Sequence, residues 1–176
     1  YLAAEHDTPY GGDEMLFELL HFDWFNIPPV EIAKLVAGRQ FSDKYAPLRQ
    51  LIYEKTNTPP ADLFSQGLHP GLQRAGKLME KLIAAVPNIT LQTLFENIIR
   101  EAGVLQQIMQ SSERIWLMQV LTALFDFIKA ETHRNPFLTL AGLVGIIELM
   151  EKEGLVLPLV QVSGTDKGVN LLTAHG

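Results

Sequence analysis

ERIWLMQVLTALFDFIKAETH, residues 113–133, is the longest unbroken pattern in the chain and decides its fold class. Ile115, Trp116, Met118, Val120, Leu121, Leu124, Phe125 and Ile128 recur at spacings of three and four, without the alternation of a strand. Neither Gly nor Pro interrupts them, so the stretch predicts one long helix with a wide apolar band, the spine of a helical bundle. His133 stands near its C-terminal end, where a cation offsets the helix dipole. Asn135-Pro136 ends it.

The same period extends in both directions. Downstream, Thr139 caps a helix whose apolar face runs from Leu140 through Leu143, Val144, Ile146, Ile147, Leu149 and Met150 to Gly154. Upstream, Asn88 or Thr90 caps a helix carrying Leu91, Leu94, Phe95, Ile98 and Ile99. That helix ends at Gly103, whose missing Cβ suits a left-handed cap. Val104 to Met109 reads as a hydrophobic linker. Further helices are predicted after Asp13 as cap, with Leu16, Phe17, Leu19 and Leu20 inward; from Pro28-Pro29 to a stop at Gly38; from Pro47 to Lys55; and from Leu72 to Val86. The expectation is an all-α, irregular bundle of about seven to eight helices over residues 1–154. An extended linker over 155–168 and a short C-terminal strand over 169–176 follow it.

Composition narrows the chemistry. The 176 residues include no Cys, so disulfides and thiolate metal sites are excluded, and a reducing compartment, the cytoplasm, is expected. The start, Tyr1 to His6, has no basic or apolar leader pattern, and no apolar run approaches the roughly 20 residues that span a bilayer, so neither membrane nor export is expected. The net charge is −6, but unevenly spread. Residues 1–33 hold seven acids and no Lys or Arg, whereas residues 34–81 sum to +4. Within the basic stretch Arg74, Lys77 and Lys81 fall at i, i+3 and i+7, one face of the helix from Leu72, where a phosphate backbone can be met. The same residues serve equally as the solvated side of a helix that buries Leu78 and Leu82.

No Gly-x-x-x-x-Gly-Lys-Ser/Thr phosphate loop, His-Glu-x-x-His metal pair or Gly-x-Ser-x-Gly nucleophile turn occurs. No catalytic residue, metal ligand or cofactor is therefore assigned within the chain. His21 reads as a packed or edge histidine rather than a ligand, and Trp24 and Phe25 as core plugs in preference to a base-stacking platform.

Val169-Asn170-Leu171-Leu172-Thr173-Ala174-His175-Gly176 reads as a buried strand breaking into polar residues, and it finds no partner strand in the sequence. This octapeptide resembles the start of motif V in UvrD/Rep-type superfamily 1 DNA helicases, where a strand runs into Thr-x-His and a Lys-Gly-Leu-Glu stretch. The helical region before it is similar in element order to the family's 2B accessory subdomain. Most specific is Asp13-Glu14-Met15-Leu16-Phe17-Glu18-Leu19-Leu20 leading into Phe25-Asn26-Ile27-Pro28-Pro29-Val30-Glu31-Ile32.

The resemblance implies an accessory domain of an ATP-dependent helicase, with ATP and Mg held elsewhere in the parent protein and this part silent by itself. It implies swivelling against the motor, for which residues 163–168, read as a flexible link, are one hinge candidate, and contact with duplex or forked DNA and with protein partners. It assigns Thr173, His175 and Gly176 to motif V, and Asn26 and Ile27 to a DNA-contacting hairpin. There the family carries Gly-Ile-Gly; Asn26 and Pro28 replace the glycines, and Pro28 has no N–H to donate. The alternative is a helical protein-interaction module with no nucleic-acid role, for which the negative charge and any exposed apolar area near 155–162 would speak.

Overall fold

The computed structural model describes residues 1–40, 46–58 and 67–159. Among them are nine α-helices and no strand: α1 Leu2–Asp7, α2 Asp13–Leu20, α3 Pro29–Gln40, α4 Leu48–Asn57, α5 Pro70–Ala85, α6 Leu91–Glu101, α7 Val104–Gln110, α8 Arg114–Arg134 and α9 Leu140–Lys152. Short 3-10 turns stand at Asp23–Phe25 and Val86–Asn88. The all-α expectation holds. The expected strand over 169–176 and the hinge candidate over 163–168 lie outside the described residues.

The core sits in the N-terminal half. Leu16 and Leu20 of α2, Ile32 and Leu35 of α3, Leu48 and Ile52 of α4, and Leu72, Ala75 and Met79 of α5 form one buried cluster with Phe25, Ile27 and Ala102. Burying each Leu or Ile contributes about 1.5–3 kcal/mol, so this cluster dominates the fold. Its spine is α5, which packs against α1, α4, α6 and both 3-10 turns.

The long helix α8 spans what its pattern predicts, but it is not the spine. Of its apolar band only Ile128 is buried, and Ile115 and Trp116 remain 69% and 52% exposed. The reason is coverage: α8 is 21 residues long, whereas α6 has 11 and α7 only 7, too little surface to cover the whole band. Helix α9 packs on α1 and buries only Leu143.

Several boundaries differ from the sequence reading for identifiable reasons. Asp13 does not cap its own helix; Gly12 occupies the cap position, and Asp13 Oδ1 accepts the Leu48 N–H at 2.7 Å, capping α4 instead. Gly38 does not stop α3, which continues to Gln40. Val104 to Met109 is helical: Gly103, at φ +85°, ends α6 in the left-handed region and its carbonyl accepts from Gln107 N–H, starting α7 at once. The expected Thr90 and Thr139 caps are both present, accepting from Thr93 N–H and Gly142 N–H.

Candidate nucleic-acid interface

Helix α5 begins with Pro70, whose missing N–H costs nothing in a first turn, and His69 Nδ1 accepts the Gly71 N–H at 3.1 Å. From there the helix is two-sided. Leu72, Ala75, Met79 and Leu82 are buried, and Arg74, Lys77 and Lys81 are exposed along one side. At 1.5 Å per residue the three bases cover roughly 10 Å of helix.

The turn at Asn26–Ile27 lies beside this face. Arg74 Nη2 donates to the Phe25 carbonyl at 3.3 Å, joining two segments 49 residues apart. Gly71 permits the approach: a Cβ there would lie 2.8 Å from Ile27 Cγ1 and 3.2 Å from the Phe25 carbonyl oxygen. Asn26 takes the left-handed conformation, φ 49° and ψ 50°, which Asn tolerates better than most residues. Its N–H is spent on Asp23 O at 3.0 Å. Ile27 is a core residue, 8% exposed, while its backbone N–H has no acceptor among the described residues. With Pro28 lacking an N–H, the turn presents one free amide rather than a cradle of them.

The three bases are not equivalent. Arg74 keeps donors beyond the one given to Phe25, and Lys77 has no ion-pair partner among the described residues. Lys81 Nζ meets Glu101 Oε2 at 2.5 Å, and Arg100 stands 3.6 Å from the same carboxylate. The hydrogen bond from Lys81 holds the Glu101 carboxyl below its ordinary value. The usable positive charge is therefore concentrated at Arg74 and Lys77, next to the turn. Sequence spacing placed the three bases on one face; Glu101, twenty residues beyond Lys81, carries no signal in the sequence that it would neutralise one.

Away from this face, one partly buried cluster of charged groups holds the fold together. Arg49 bonds both Glu5 and Glu80, and Glu5, 2% exposed, also accepts the N–H groups of Tyr10 and Gly12. His21 is an edge histidine, its Nδ1 2.8 Å from Phe17 O, and Phe25 plugs the core with Trp24 packed against it. Among the described residues no group of His, Asp and Glu is arranged to hold a metal ion, and no helix is long and apolar enough to cross a membrane. Thr173, His175 and Gly176 lie outside the described residues. Comparison of the chain with protein families, with curated proteins and with solved structures finds no match.

Proposed function

We propose that this chain is the 2B-like accessory domain of a superfamily 1 ATP-dependent DNA helicase, silent by itself, which meets duplex DNA through α5 and the Asn26–Ile27 turn. The observation that supports the duplex contact is the Arg74 bond to Phe25 O, which brings α5 and the Asn26–Ile27 turn side by side, with Lys77 exposed next along the helix. ATP and Mg belong to the motor elsewhere in the parent. With two or three phosphates engaged, binding is weak and falls steeply with salt.

The test of the contact is binding of a labelled forked duplex across a salt series, with Arg74, Lys77 and Lys81 changed together to Glu. Binding that fades with salt and vanishes in the triple variant is expected; binding that survives the charge reversal overturns the assignment. The parentage has its own test in the coding sequence, where Lys-Gly-Leu-Glu should follow Gly176 and a phosphate loop should lie upstream. A reading frame lacking both refutes it.

A second reading, a helical protein-interaction module, is favoured by a specific observation. An apolar groove of about 850 Å³ runs along α8, lined by Met109, Ile115, Met118, Phe127 and Leu157. Leu155 and Val156 beyond it are exposed. No duplex binding even at low salt would favour this reading.

A further inference from the structure

The first 33 residues hold seven acids and no Lys or Arg, and the structure gives that asymmetry a surface. On the outer side of α2 and the turn after it, Met15, Phe17 and Phe22 are 47%, 41% and 43% exposed. Interleaved with them are Glu14, Glu18 and Asp23, all exposed and without a cation partner among the described residues. The helical period puts Glu14 and Glu18 along the middle of the outward face, with Met15 on one flank and Phe17 on the other.

The exposed rings are held in place rather than free. Phe17 packs edge-on against His21, centroids 4.6 Å apart, and His21 is fixed by its bond to Phe17 O. Phe22 lies 4.5 Å from Trp24, which packs on the core. Rings already ordered lose little entropy when a partner covers them, the condition under which a small apolar patch yields affinity. On the outer side of α2, Glu14 and Glu18 disfavour a phosphate backbone and select a cationic partner.

We propose that the outer face of α2 and the following turn dock a basic amphipathic peptide segment of a partner protein, Lys or Arg meeting Glu14, Glu18 and Asp23 while apolar side chains cover Met15, Phe17 and Phe22. The surface is separate in charge and residues from the α5 face, and the proposal stands whether or not that face meets DNA.

The probe is a labelled helical peptide of alternating Lys/Arg and Leu character, titrated with the 176-residue chain by fluorescence anisotropy. Two control peptides accompany it, one with Ser for every Leu and one with Glu for every Lys and Arg. Only the basic amphipathic peptide should bind, with affinity falling about tenfold between low and physiological salt. Glu14→Gln, Glu18→Gln and Asp23→Asn together should weaken it at least about tenfold, as should Met15→Ser with Phe22→Ser. All five positions are exposed, and circular dichroism of each variant verifies folding. The Arg74, Lys77 and Lys81 reversal should leave peptide binding unchanged. Equal binding of the Ser-substituted peptide, indifference to the carboxamide variants, or no binding at low salt would each overturn the proposal. So would concentration-dependent self-association lost in both the carboxamide variant and the α5 reversal, which would make a second copy the occupant.

Discussion

At the scale of single residues, Arg49 ties the N-terminal half together because one guanidinium serves two carboxylates. Its Nη1 reaches Glu5 Oε2 at 2.7 Å, while Nε and Nη2 grip Glu80 at 2.6 and 2.7 Å, so α1, α4 and α5 meet in one side chain. The bond to Glu80, with that to Glu5, raises the already high proton affinity of Arg49, and the cation persists at every working pH. Arg49→Met would leave the buried Glu5 carboxyl short of its cation. We predict a loss of about 3–5 kcal/mol in urea denaturation; a loss below about 1 kcal/mol would show that water replaces the guanidinium.

Lys81 offers a second residue-scale prediction. Its hydrogen bond lowers the Glu101 carboxyl, so the pair contributes stability at pH above the ordinary carboxylate value, and that contribution is lost as pH falls through the lowered one. In Lys81→Met the Glu101 titration followed by NMR should move up toward its ordinary position; an unmoved titration would assign the shift to Arg100. None of these pairings is legible in the sequence. Glu5, Arg49 and Glu80 are ordinary helix-surface residues by type, and only the fold brings them within reach.

At the scale of elements, legibility follows length and caps. α6 and α9, each with a Thr cap, and α8, with its long uninterrupted period, are read from the sequence almost to the residue, because period and cap are both local signals. α1 and α7, of six and seven residues, are too short for a period to declare itself; tertiary contact sustains them. Gly103 separates α6 from α7, and its φ of +85° is the one element of that junction the sequence does announce. Gly103→Ala should cost about 1–2 kcal/mol in thermal or urea unfolding, from the left-handed backbone alone, since its Cβ would clear Trp24 O at 3.5 Å. A neutral substitution would mean that the junction relaxes out of the left-handed region. The same limit applies to the candidate interface: the basic period of α5 is a local signal, whereas its junction with the Asn26 turn depends on Gly71 and Arg74 meeting a segment far away in sequence.

Over the whole molecule, apolar pattern and burial part company. Residues 113–133 carry the longest apolar pattern, yet the dense core belongs to α2 through α5. A helical period reports which side chains can be covered, not which ones are, and here α6 and α7 cover only part of α8. Local stability should follow the packing rather than the pattern, since opening a segment costs the burial it forfeits. In native-state hydrogen exchange the amides from Arg74 to Leu82, inside the hydrogen-bonded body of α5, should be the slowest in the chain, protected to the level of global unfolding. Those of α9, with Leu143 alone buried, should exchange orders of magnitude faster. Equal protection of α5 and α9 would show the two halves opening as one cooperative unit. It would also show that the exposed band of Ile115 and Trp116 is covered in solution, because α8 and α9 bury too little among the described residues to reach that protection unaided.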